Sequence, residues 1–213
     1  MINIYEYLLS KKNKEANRLT DYNIHDVIKD TLTELGPKAD LNFLDTSEIT
    51  NMTNLFDAKV TKCPEFNGDI SRWDVSHVSN FESMFANCKN FDCDLSRWDF
   101  RAKNISMDGM FFKCESFNQN IGVWNVSEVV NMSHMFNGAK NFNQNLLEWN
   151  IKNVNNVYMM FANGKNFLQD LSGWTFNNTC INQPGFTHMF YEFHDFPVKY
   201  MPHQLQKLLE KYK

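Results

Sequence analysis

Apolar residues along this chain fall into a phrase that returns about every 25 residues. Trp73, Trp98, Trp124, Trp149 and Trp174 are separated by 25, 26, 25 and 25 residues. A Met-Phe or Leu-Phe dipeptide recurs at 55–56, 84–85, 110–111, 135–136, 160–161 and 189–190. Six residues beyond its Phe stand Phe91, Phe117, Phe142, Phe167 and Phe196, and Phe66 joins them once a four-residue insertion is allowed. Ile70, Leu95, Ile121, Leu146 and Leu171 follow four residues later. The first copy begins at Leu44 and a degenerate last copy at Trp174, which makes about six. A fixed period of this length marks a repeat architecture, in which stacking neighbours bury what one copy cannot.

Within a copy the pattern changes its step. Val78, Phe81, Met84, Phe85, Cys88 and Phe91 fall at i, i+3, i+6, i+7, i+10 and i+13, which predicts a short helix with one buried face. Trp73 and Val75 alternate with polar Asp74 and Ser76, which predicts a short strand. The expected fold is therefore an α/β, leucine-rich-repeat-like solenoid of about six strand–helix repeats, with a parallel sheet on one side and helical caps at both ends. Residues 1–40 are read as an N-terminal helical cap: Ile24, Val27, Ile28, Leu32 and Leu35 form a stripe, Asn23 with Asp26 resembles a helix start, and Gly36-Pro37 stops it. Residues 41–196 form the repeat array. Residues 197–213 are a C-terminal cap, in which Pro202 opens a helix carrying Leu205, Leu208, Leu209 and Tyr212.

Composition narrows the function. Aromatic content of 15% and hydrophobic content of 43% supply a core, and a net charge of −4 without a basic run speaks against nucleic acid as a partner. No stretch approaches the ~18 apolar residues of a spanning helix, so no membrane insertion is expected. The first residues lack the pattern of a secretory signal, which favours a cytoplasmic or phage-associated location over the cell surface. Five cysteines without a CxxC pair point to neither a disulfide framework nor a zinc site. Cys63, Cys88 and Cys114 share a slot that Ala139 and Gly164 fill in later copies, so the slot calls for a small residue. Two Asx columns, Asp69, Asp94, Asn120, Asn145, Asp170 and Asp45, Asp74, Asp99, Asn125, Asn150, read as turn residues more readily than calcium ligands, because amides take several of the places. His134 and His188 share a column with Asn54, Ser83 and Gly109, which reads as a solvated helix position. No cofactor, metal or catalytic residue is expected, and the protein is read as a non-enzyme.

The phrases WDVSHVSNFESMFANCKNF and WNVSEVVNMSHMFNGAKNFNQNL resemble the repeat of the BspA-like leucine-rich-repeat surface proteins, WDVSxVxxMxxMFxxAxxFNxDIS. The likeness covers residues 44–173 closely and 174–196 loosely. It implies a surface, adhesion or host-interaction protein of bacteria, phages or mobile elements, and hence a binding module for another protein. The alternative is a structural or decorating subunit of a phage particle or surface layer. The candidate partner-binding residues lie in the column before each Trp, which holds Arg72, Arg97, Val123, Glu148 and Gly173, with Arg72, Arg97 and Glu148 forming an uneven charge strip.

Overall fold

In a computed structural model the structure describes residues 18–211; the first 17 residues of the expected N-terminal cap, and Tyr212, lie outside the described residues. The expected strand–helix repeats are not there. Among the described residues the α-helices are α1 (Ile24–Leu35), α2 (Ala58–Thr61), α3 (Asn178–Ile181) and α4 (His203–Glu210), and the strands are β1 (Ile105–Ser106) and β2 (Val129–Asn131), paired in parallel. Between them the chain runs as coils built of successive turns.

The segment Phe81–Cys88, expected to be helical, shows what replaces the helix. The N–H groups of Phe81, Ser83, Phe85 and Asn87 donate across to the next coil, to the carbonyls of Ser106, Asp108, Met110 and Phe112, at 2.7–3.0 Å. The N–H groups of Met84, Ala86 and Cys88 donate instead three residues back, to Phe81, Ser83 and Phe85. Glu82 N–H donates to the Asn80 side chain. Every donor in the segment is accounted for, as a buried backbone requires. No i→i+4 bond can form, because alternate N–H groups leave the coil. Ser83 (φ 53°) and Asn87 (φ 63°) also adopt the left-handed conformation, which ends any right-handed helix. The apolar spacing of three, read as one face of a helix, is the spacing of three-residue turns: Phe81 to Met84, Phe85 to Cys88, Cys88 to Phe91.

The same crossing recurs from Met52, Asn54, Phe56 and Ala58, from Met107, Gly109, Phe111 and Lys113, and from Met132, His134, Phe136 and Gly138. The left-handed residues recur with it, at Asn54, Gly109, His134, Met159, Lys113, Gly138 and Asn163. The expected parallel sheet shrinks accordingly. Among the described residues parallel pairing survives along Asn51, Asn80, Ser106, Asn131 and Asn156, with Ile105–Val129 beside it and a separate bridge between Asp40 and Asp69. Trp73 and Val75 are buried around an exposed Asp74 as their alternation predicts, but they lie between turns and not in a strand.

Packing is set by rings. Phe56, Phe85, Phe111, Phe136, Phe161 and Phe190 stack at 5.5–5.7 Å from coil to coil. Phe66, Phe91, Phe117, Phe142, Phe167 and Phe196 form a second column at 5.7–5.9 Å. Within each coil the two rings lie 4.0–4.3 Å apart. Each offset-stacked pair adds about 0.5–1.5 kcal/mol to the burial of its area. Each tryptophan then ties its coil to the one before: the indole N–H groups of Trp73, Trp98, Trp124, Trp149 and Trp174 donate to the carbonyls of Leu41, Ile70, Leu95, Ile121 and Leu146 at 2.8–3.2 Å. An asparagine column runs beside them. The side chains of Asn67, Asp92, Asn118 and Asn143 accept the N–H of Asp92, Asn118, Asn143 and Leu168 in turn.

The ends are closed by side chains that imitate a missing coil. Ahead of the first coil, Asp21 accepts the N–H groups of Thr50 and Asn51, and a His25 ring nitrogen lies 2.8 Å from the Thr53 carbonyl. α1 buries Ile24, Val27 and Ile28, while Leu35 stays outside the core, and Gly36 at φ 83° ends the helix. Asn23 does not cap α1 with its side chain; it bonds Thr20 and Arg18 instead. At the far end the Gln204 amide both donates to and accepts from the backbone of Phe176, and Leu205 of α4 is buried.

Phe142 touches rings in its own coil and on both sides. Phe142→Ala should therefore lower stability by about 3–5 kcal/mol in chemical denaturation; a loss below about 1 kcal/mol would show that the columns do not carry the stack.

Candidate functional site

The three residues singled out from the sequence occupy turn corners and not strands. Arg72 and Arg97 are exposed, each just ahead of the turn-closing N–H of Trp73 to Ile70 and of Trp98 to Leu95. They share the wall of an open groove of about 470 Å³ with Asp69, Ser71, Cys93 and Asp94. Glu148 is exposed in the same column but lines no part of this groove. Between them stands Val123, 61% exposed, and Leu147 beside Glu148 is also solvent-facing. The corner edge thus reads basic, then apolar, then acidic. Arg72 lies 4.0 Å from Asp40; Asp69 is held below the ordinary carboxylate range chiefly by the Ser71 N–H, then by Asn42 and the Ser71 hydroxyl, with Arg72 adding least. No carboxylate among the described residues comes within ion-pair distance of Arg97.

The cysteine column is part of the core. The Cys88 and Cys114 thiols are buried and donate to the carbonyls of Phe56 and Phe85 in the preceding coil, at 3.0 and 2.9 Å. Burial pushes both thiols far above the usual range, so little reactive thiolate exists there. Cys63, in the coil with the insertion, is only half-buried, and α2 fills that insertion. Outside the column, burial raises Cys93 to about 11 and Cys180 to about 12.

The Asx columns close turns. Asp69, Asp94, Asn145 and Asp170 each accept the N–H two residues on, and Asp45, Asp74 and Asn125 do the same one turn later. The Ser47 and Ser76 hydroxyls lower the carboxyls of Asp45 and Asp74 most, and the Ser71 and Ser172 N–H groups those of Asp69 and Asp170. Among the described residues no group of three or more His, Cys, Asp or Glu side chains could hold a metal ion.

One surface feature escaped the sequence reading. His134 lies in a turn of the ladder, whereas His188 ends a short 3-10 helix, Phe186–His188. Both lie on the outward side of the backbone ladder, where Phe112, His134, Tyr158, His188 and Tyr191 form a chain of rings with centroids 5.2–6.4 Å apart. The signal was present as a departure from the repeat. Tyr158 takes the place of Glu82, Asp108 and Ser133, and Phe112 and Tyr191 take the place of Ala86, Asn137 and Ala162.

A family model described as "Mycoplasma protein of unknown function, DUF285" matches the chain twice, over residues 22–105 and 102–201. No curated protein and no solved structure matches. No helix among the described residues is long and apolar enough to cross a membrane.

Two measurements test the columns. Cys88→Ala with Cys114→Ala should fold normally, losing about 1–2 kcal/mol or less per site, since Ala139 fills the same slot. In the native wild type both thiols should stay unmodified by alkylating reagents when mapped by mass spectrometry. The depressed Asp carboxyls favour the folded state fully above the unfolded value of about 3.9, and that contribution is lost as pH falls through the lower folded values. Stability should therefore decline below about pH 4. Replacing Asp45, Asp69, Asp74 and Asp170 together by Asn should flatten that decline and lower stability at pH 7 by about what the wild type loses on acidification; an unaltered acid profile would assign it to other groups.

Proposed function

This chain belongs to the family "Mycoplasma protein of unknown function, DUF285", and we propose that it is a non-enzymatic protein-interaction module that binds another protein through the corner edge carrying Arg72, Arg97 and Glu148. The observation that supports this most is the contrast between columns. Inward columns repeat nearly the same residue in every coil and are buried, whereas the corner column changes from Arg to Val to Glu to Gly along the stack. Nothing in the coil-to-coil bonding requires that change. An exposed Val123 and Leu147 between charges of opposite sign suit a contact with an apolar centre and a polar rim. The likeness of the repeats to the BspA-like phrase adds weight to a role in recognition. A basic end at Arg72 and Arg97 would select the acidic side of a partner and set the direction in which it lies.

Arg72→Glu with Arg97→Glu should leave thermal stability nearly unchanged, because both side chains are exposed, and should weaken capture of the cognate protein at least tenfold. The partner is first recovered from a host lysate on the immobilised wild type and then titrated calorimetrically against both forms. Equal affinity would remove this edge from the interface.

A further inference from the structure

The ring chain on the ladder face is not needed to hold the coils together. Phe112, His134 and Tyr158 are half-buried, His188 and Tyr191 are exposed, and other coils hold Glu, Asp, Ser, Ala or Asn at the corresponding positions. The rings are nevertheless seated. A Cβ on Gly185 would come within 2.7 Å of the Tyr158 ring, so the absence of a side chain there lets the next coil close against it. Neighbouring rings meet tilted or edge-on, at 54–79° for three of the contacts and 34° for His188 with Tyr191. Each ring thereby keeps part of its face toward solvent instead of covering its neighbour.

The ring-bearing positions of the ladder alternate with carboxylates, while Lys140 and Lys165 share an open pocket with Glu192 at its last coil. Glu82, Asp108 and Glu192 occupy outward positions of the same ladder, and Asp108 lies 3.6 Å from a His134 ring nitrogen. The cation in those columns, Lys113, extends its ammonium over the Phe112 ring, 5.1 Å from the centroid. The surface thus already satisfies one cation in the way an aromatic face does.

We infer that this face is a second docking surface, separate from the corner edge, for a basic protein segment. Its arginine or lysine side chains would lie over the rings of Tyr158 and Tyr191 and beside the carboxylates of Asp108 and Glu192. Arginine is the preferred side chain, because a planar guanidinium stacks on a ring and bonds a carboxylate at once. The ladder positions are about one strand spacing, ~4.8 Å, apart along the stack, so a segment lying along it meets a ring or a carboxylate at each coil.

The test uses the full chain with nona-arginine and nona-lysine peptides, titrated calorimetrically at near-physiological salt. Nona-arginine should bind, and more tightly than nona-lysine. Tyr158→Ser with Tyr191→Ala, residues that Ser133 and Ala162 already place in the same slots, should fold like the wild type and weaken nona-arginine binding at least tenfold. Tyr191→Ala alone, at an exposed site, should weaken it about threefold. Glu210→Gln, exposed on α4, should leave it unchanged. Absence of binding by the wild type, or equal binding by the tyrosine double variant, would overturn the inference; the second result would assign the attraction to net charge alone.

Discussion

The division of labour among backbone N–H groups governs this molecule. In each ladder segment one donor closes a three-residue turn and the next crosses to the neighbouring coil, so the same stretch both bends the chain and binds it sideways. A helix would keep all donors within the coil, and a full strand would send donors and acceptors both ways. The observed alternation does neither, and it requires left-handed residues at regular places. Those residues cost about 1–2 kcal/mol each when they are not glycine. Lys113 and His134 are held in that conformation by their own N–H groups, which cross to the carbonyls of Asn137 and Tyr158 in the next coil.

What the sequence made legible was spacing and burial. The Trp, Phe and Leu/Ile columns are buried where the 25-residue register placed them, and the small-residue slot is a core slot at Cys88 and Cys114. Local conformation was not legible, because a turn closed at i→i+3 and a helical face both repeat apolar residues at three. Only the intervening left-handed residues separate them, and Ser83, His134 and Met159 do not advertise a positive φ as glycine does. The column Asn67, Asp92, Asn118, Asn143 escaped notice for a different reason: asparagine is so common in every copy that a position with a structural duty looks like its neighbours. Of the candidate site, the sequence brought Arg72 and Arg97 to one groove but set Glu148 beyond it. The aromatic face was hidden because its rings come from columns that are not aromatic in most copies.

Function in such a design is written on top of a scaffold that does not depend on it. Inward columns are filled by the same few residues, and the Asx side chains close turns, so the outward positions are free to differ from coil to coil. Both surfaces discussed above arise in that way. The corner edge changes charge along the stack, and the ladder face gains rings toward its later coils. Membership of the DUF285 family extends over 22–201, which includes every coil that carries these differences.

The asparagine column also has an end built into it. Its last acceptor, Asn143, serves the N–H of Leu168, and Leu168 has no side-chain oxygen to offer the next coil. The residue that would need one is Pro197, which has no N–H to satisfy. Donor and acceptor are thus deleted together, and the relay stops without leaving an orphan. From Asn67 to Asn143 each coil supplies the acceptor that the next coil's N–H demands, and at Pro197 the demand ceases with the supply.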